Sequence, residues 1–99
     1  MADAIIRAQV LRWVSDAQPG WIEVGLVDAD GQKHRIVEKA PVLTSRTITA
    51  ESEFPAEFWL RADTGQVTDK RVEVTFAHAV ETIEGLPGVH MRVADVRWL

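Results

Sequence analysis

The chain has no cysteine, no tyrosine and only four prolines, and its basic residues are outnumbered 11 to 15 by acidic ones. The missing cysteines exclude disulfides, thiolate metal centres and cysteine nucleophiles together. They also suit a reducing compartment, so a cytoplasmic location is expected. Nowhere do about 18 apolar residues run together, the length a membrane-spanning helix needs. The first residues, Met1-Ala2-Asp3-Ala4-Ile5-Ile6-Arg7, lack the basic region and apolar core of a secretory leader. No membrane association is expected.

The shortage of positive charge bears on partners. Net charge is −4, whereas nucleic-acid affinity comes largely from clustered Lys and Arg neutralising phosphates. The densest basic pairs, Lys33/Arg35 and Lys70/Arg71, are short and far apart in the chain. Nucleic acid is therefore not the expected partner unless folding gathers a local patch.

With 46% hydrophobic and 26% charged residues, the composition is that of one globular domain over residues 1–99. The clearest local pattern lies in residues 70–80. Val72, Val74, Phe76 and Val80 share one parity, while Glu73, Thr75 and Ala77 take the other. That period of two predicts a strand with one buried face, and it puts His78 in the inward register. Residues 4–14 fit either a helix or a strand. The turn cluster Asp16-Ala17-Gln18-Pro19-Gly20, followed by the strand-like Trp21-Ile22-Glu23-Val24-Gly25-Leu26-Val27, favours a strand paired in a hairpin. A bulge near Arg12 would then turn Leu11 and Trp13 inward.

Ile22, Val24 and Leu26 form the expected inward face of the second strand. Gly25 marks a bulge or a close approach by another group. Asp28-Ala29-Asp30-Gly31 reads as a turn into a charged edge strand over residues 32–38. Residues 39–55 are irregular, with a single helical turn expected near 49–53, capped by Thr47 or Thr49. Phe58, Leu60 and Ala62 face inward on a strand over residues 57–62, and residues 63–69 read as a loop. Val89, Met91 and Val93 supply the last long strand, and a break at Ala94-Asp95 returns Val96 and Trp98 to the core. The expected fold class is all-β: a small antiparallel barrel of about six strands, SH3-like, OB-like or of the type appended to translation factors.

Chemistry is hard to find. His34, His78 and His90 lack the i, i+2 spacing of strand metal ligands, so no metal and no cofactor is expected. Asp28-Ala29-Asp30-Gly31 fails as a calcium loop: the first ligand position falls on Leu26 and the last on Val37. Glu51/Glu53 and Glu81/Glu84 sit in polar loops that would not perturb a catalytic carboxyl. Ser15, Ser45 and Ser52 have no nucleophile elbow, and Gly85-Leu86-Pro87-Gly88 is no phosphate loop. No catalytic residue is assigned, and the chain reads as a non-enzyme.

Aromatic usage is uneven, with four Trp and three Phe. Trp59 lies between Phe58 and Leu60, and Trp21 opposes Ile22, so both should face outward, whereas Trp13 and Trp98 belong to the core or to barrel closure. Trp and Arg concentrate where interfaces hold their energy. The sequence thus favours a protein-interaction module binding a protein partner or itself through Trp21, Trp59, Arg61, Arg35 and the edge strand. Its alternative is a small-molecule-binding barrel with a site at the mouth near His78, lidded by residues 39–55.

Overall fold

A computed structural model describes residues 2–99. Seven strands form one antiparallel sheet curled into a half-barrel. They are β1 (Ala2–Ser15), β2 (Trp21–Val27), β3 (Lys33–Lys39), β4 (Ala56–Thr68), β5 (Arg71–Phe76), β6 (Gly88–Arg92) and β7 (Val96–Trp98). A single helical turn, α1 (Ala40–Leu43), follows β3, and one-turn 3₁₀ segments occupy Ala77–Ala79 and Val93–Asp95. The strand order is β3-β2-β1-β4-β5-β6, with β7 added to β1.

The extended reading of residues 4–14 holds, and β1 is the strand that the others pair around. Along one edge it pairs with β4 from Ala2 to Val10. Along the other it is shared: β7 pairs at Ala4, Ile5 and Ile6, and β2 from Gln9 onward. Its inward residues Ala4, Ile6, Ala8 and Val10 are buried almost completely. Across the β1/β4 pair Ala8 opposes Phe58, Ile6 opposes Leu60 and Ala4 opposes Ala62, so the inward layer is bulky at its middle and small at the Ala4 end. Ile22, Val24 and Leu26 on β2 and Val72, Val74 and Phe76 on β5 complete the same cluster.

The bulge foreseen near Arg12 is present between Val10 and Arg12. It turns Trp13 inward opposite Ile22, and the indole ring lies over Gly20, where any Cβ would clash. Leu11 does not turn inward; as the extra residue it lies across Gly25, whose missing side chain leaves the room. The expectation of a close approach at Gly25 is met in this way.

Several boundaries differ from the sequence reading. Residues 63–68 continue β4 instead of looping, because β5 pairs with them through a two-residue turn, Asp69-Lys70, both at positive φ. A bulge between Thr64 and Val67 absorbs the polar Gly65-Gln66 pair. The helical turn sits at Ala40–Leu43, started by Pro41, and not near 49–53. There Thr49 makes only a hydroxyl-stabilised turn: its Oγ1 accepts from the Glu51 amide and its carbonyl from the Ser52 amide. The strand expected over residues 70–80 ends at Phe76, so His78 leaves the inward register. It stands exposed on the 3₁₀ turn at φ 61°. The break at residues 93–95 does return Val96 to the core, but Trp98 stays 43% exposed, its Nε1 donating to Thr64 Oγ1 at 3.0 Å.

The edge strands β3 and β6 share no ladder. A seam of turns bridges them instead: the Ala29 amide donates to the His90 carbonyl at 2.8 Å, and the Ile83 amide to the Arg35 carbonyl at 2.8 Å. Each edge is thereby bridged at one backbone carbonyl, without full closure.

Ile6 lies fully buried on β1, in the middle of this core. Ile6→Ala should lower unfolding free energy by about 2–5 kcal/mol in urea titration. Val67→Thr, on an exposed position, should change it by less than about 0.5 kcal/mol. Equal losses would contradict the placement of the core.

Candidate binding groove

Because β7 and β2 share one edge of β1, the sheet forks between Ile6 and Gln9. A groove of about 530 Å³ opens at this fork. Leu11, Gly25 and Val27 line it, together with the cations Arg7, Lys33, Arg35 and Arg92. Only two carboxylates, Asp95 and Glu57, oppose these four cations. The groove is therefore positive in a chain whose net charge is −4.

Asp95 organises one wall. It is 7% exposed and accepts from Arg7 Nε at 3.1 Å and from Arg92 Nε and a terminal guanidinium nitrogen at 3.1 and 2.9 Å. Charge-assisted pairs of this kind fix a guanidinium in one orientation. Arg7 also reaches Glu57 at 3.4 Å. On the facing strand, Lys33 and Arg35 have no ion-pair partner among the described residues. One wall is thus held in place and the other is left uncompensated.

The residues expected to form one patch occupy three places. Trp59 faces outward on β4, but two guanidiniums lie over its ring, Arg7 at 5.0 Å and Arg97 at 4.0 Å from the centroid. It borders the groove through Arg7. Arg61 shares that outer face and reaches Asp3 at 3.4 Å. Arg35 lies in the groove itself. Trp21 is remote: its β1 partner is Ser15, whereas that of Trp59 is Arg7. Eight residues of strand separate the two, about 26 Å if fully extended. Lys39 Nζ lies 5.7 Å from the Trp21 ring. His78 lines neither this groove nor the smaller cleft by Gln66, Arg71 and His90. Among the described residues no cluster of three or more His, Asp or Glu is placed to hold a metal, and no helix is long and apolar enough to cross a membrane.

Two features escaped the sequence reading. Asp95 appeared there only as a break between strands, although Arg92 three residues earlier was the available signal. The other is the polar chain along the seam. Arg71 grips Asp30 with both terminal guanidinium nitrogens, at 2.5 and 3.1 Å. His34 Nε2 lies 2.7 Å from Asp28 Oδ2, while Asp28 Oδ1 accepts from the Asp30 and Gln32 amides at 2.8 and 2.9 Å. The Arg71 hydrogen bonds hold the Asp30 carboxyl below its ordinary range and outweigh its desolvation. For Asp28, burial pushes the carboxyl up, but the His34 and backbone hydrogen bonds together prevail and hold it low.

Comparison of the chain with protein-family models, curated proteins and solved structures finds no match, so its functional reading rests on geometry.

Because both seam carboxyls are depressed in the folded state, the unfolded chain binds more protons in acid. Their contribution is present above the ordinary aspartate value of about 3.9 and is lost as pH falls further. The thermal midpoint of the wild type should therefore drop more steeply between pH 5 and pH 2.5 than that of Asp30→Asn. Parallel curves would show that the seam pair adds nothing.

Proposed function

We propose that the chain is a non-enzymatic protein-interaction module that holds an extended, acidic segment of a partner protein in the groove beside β1. The observation that carries this reading is the wall of uncompensated Lys33 and Arg35 facing an Arg7/Arg92 pair fixed by Asp95. Opposite potentials steer encounter and set orientation, and a preorganised guanidinium loses little freedom on binding. Leu11 and Val27 offer apolar contacts between the charges, as alternate side chains of an extended segment require.

The lining also favours binding over catalysis. It includes no Ser, Thr, Cys or Tyr, and its buried carboxylate is engaged by two guanidiniums. The other two groups that could move a proton are also engaged, Glu57 by Arg7 and His34 by Asp28. Cytoplasmic residence belongs to the same proposal and rests on the cysteine-free composition. Nucleic acid is the weaker partner class, since four cations at one fork do not track a phosphate backbone.

The second reading, a small-molecule-binding barrel, draws on the volume of the groove, which lies within the range of small-ligand sites. Its site would be the fork, because His78 stands on an exposed turn away from it.

The test uses a fluorescent decapeptide of alternating Glu and Val, followed by anisotropy at low salt. Wild-type protein should bind it, and affinity should fall as salt rises. The double variant Lys33→Glu/Arg35→Glu should bind at least about tenfold more weakly, equivalent to about 1.4 kcal/mol. Trp21→Ala should bind as the wild type does. Absence of binding, or equal affinity for a Lys-Val peptide, would overturn the proposal. Assembly of the protein with itself through the groove would replace the foreign partner by a second copy, and sedimentation detects it.

A further inference from the structure

We propose that His34 is a pH-responsive clasp, which fastens the loop over the β3 edge and adds positive charge to the groove when protonated. Its effect on binding rests on the acidic-segment reading above; its effect on the seam does not.

His34 faces inward from β3 opposite Leu26, and its side chain is 11% exposed. Asp28, an ionised carboxylate, can only accept, so the neutral ring places its single proton on Nε2 at 2.7 Å from Oδ2. Nδ1 is then a bare lone pair. It is buried without a hydrogen-bond partner, and the nearest counter-group is Glu84 Oε1 at 3.5 Å. Two acceptors face each other there, and although the Glu84 side chain is half-exposed, the Nδ1 lone pair is itself buried and unpaired, which is unfavourable. A second proton on the ring turns this opposition into an ion pair.

Glu84 belongs to the loop 81–87, which is ordered by its own hydrogen bonds. The Gly85 amide donates to the Thr82 carbonyl at 2.8 Å, and the Thr82 amide to the Leu86 carbonyl at 2.9 Å. The loop meets β3 through the Ile83 amide on the Arg35 carbonyl. A charged His34 therefore joins three elements: the turn bearing Asp28, strand β3 and the loop bearing Glu84.

The ring faces charge of both signs. Asp28 from the turn and Glu84 from the loop bring negative charge to it. Lys33 and Arg35 on its own strand bring positive charge, as do Arg7 and Arg92 across the groove, although Asp95 offsets the latter pair and Glu57 also draws on Arg7. Along the seam, Asp30 and Arg71 offset each other. His90, beside Glu73 and Arg71 in the smaller cleft, is the other histidine near the seam. A second proton on the ring pairs it with Glu84, which tightens the loop and makes the groove more positive; histidine is the side chain suited to such a change in the physiological range.

Two measurements test this. The first needs no ligand: amide exchange at Ile83, corrected for its intrinsic pH dependence, and the ring ¹⁵N shifts of His34. Between pH 8 and pH 5.5 Ile83 protection should rise several-fold, while the ring passes from a proton on Nε2 alone to protons on both nitrogens. Glu84→Gln, altered at a half-exposed side chain, should lose most of the rise, and His90→Gln should retain it. The second is affinity for the Glu-Val decapeptide, which should increase about three- to tenfold over the same window in the wild type and stay flat in His34→Gln. A proton on Nδ1 alone at pH 8, or protection independent of pH, overturns the clasp. Peptide binding that persists with no pH dependence refutes the clasp and leaves the groove reading standing. Protection that follows pH in a protein that binds no peptide upholds the clasp and refutes the groove reading.

Discussion

Strand β1 has to serve three neighbours with two edges, and most of the architecture follows from that constraint. One edge is given entirely to β4. The other is divided between β7 and β2, which cannot both extend along it. A fork is the unavoidable result, and the bulge between Val10 and Arg12 bends the longer branch away from it. The inward row from Ala4 to Val10 ties this arrangement to the core. A change of register would move Ile6 and Val10 to the outer face, so the fork is as firmly specified as the core itself.

The fork is also where an acidic protein gathers positive charge. Arg7 comes from β1, Lys33 and Arg35 from β3, and Arg92 from the end of β6, so no local run of sequence is basic. Asp95 sits on the turn between β6 and β7 because β7 must double back to reach β1, and from there it holds Arg7 and Arg92 together. Trp59 extends the same network outward, with Arg7 and Arg97 on its ring. Cation–π contacts of this kind hold guanidiniums without neutralising them. The aromatic residue thus supports a charged surface and does not itself present an apolar one.

Period-two patterning made much of the fold legible. The inward residues of β2, β5 and the first half of β4 follow directly from alternation, and Gly25 with the turn cluster at 16–20 marked the first hairpin. Polar residues misled where a partner strand overrode their preference: Asp63 to Gln66 look like a loop, yet β5 pairs across them. His78 misled for the opposite reason, since the strand ends at Phe76 and His78 itself, with Ala79 after it, is left-handed. The site was less legible than the fold. Arg35 was singled out and lies in the groove, but Lys33 and Arg7 gain their meaning only when β3 and β1 come together. Trp21 and Trp59 both face outward as their parity requires, yet no pattern in the chain encodes the separation along β1 that keeps them apart.

If the fork holds an acidic extended segment, as proposed, titrating the Glu-Val decapeptide into ¹⁵N-labelled protein should give saturable amide chemical-shift changes concentrated at Arg7, Ala8, Gly25, Lys33 and Arg35, with Trp21 and His78 unmoved. Changes centred on Trp21 or on the loop bearing His78, or none at all, would contradict that proposal.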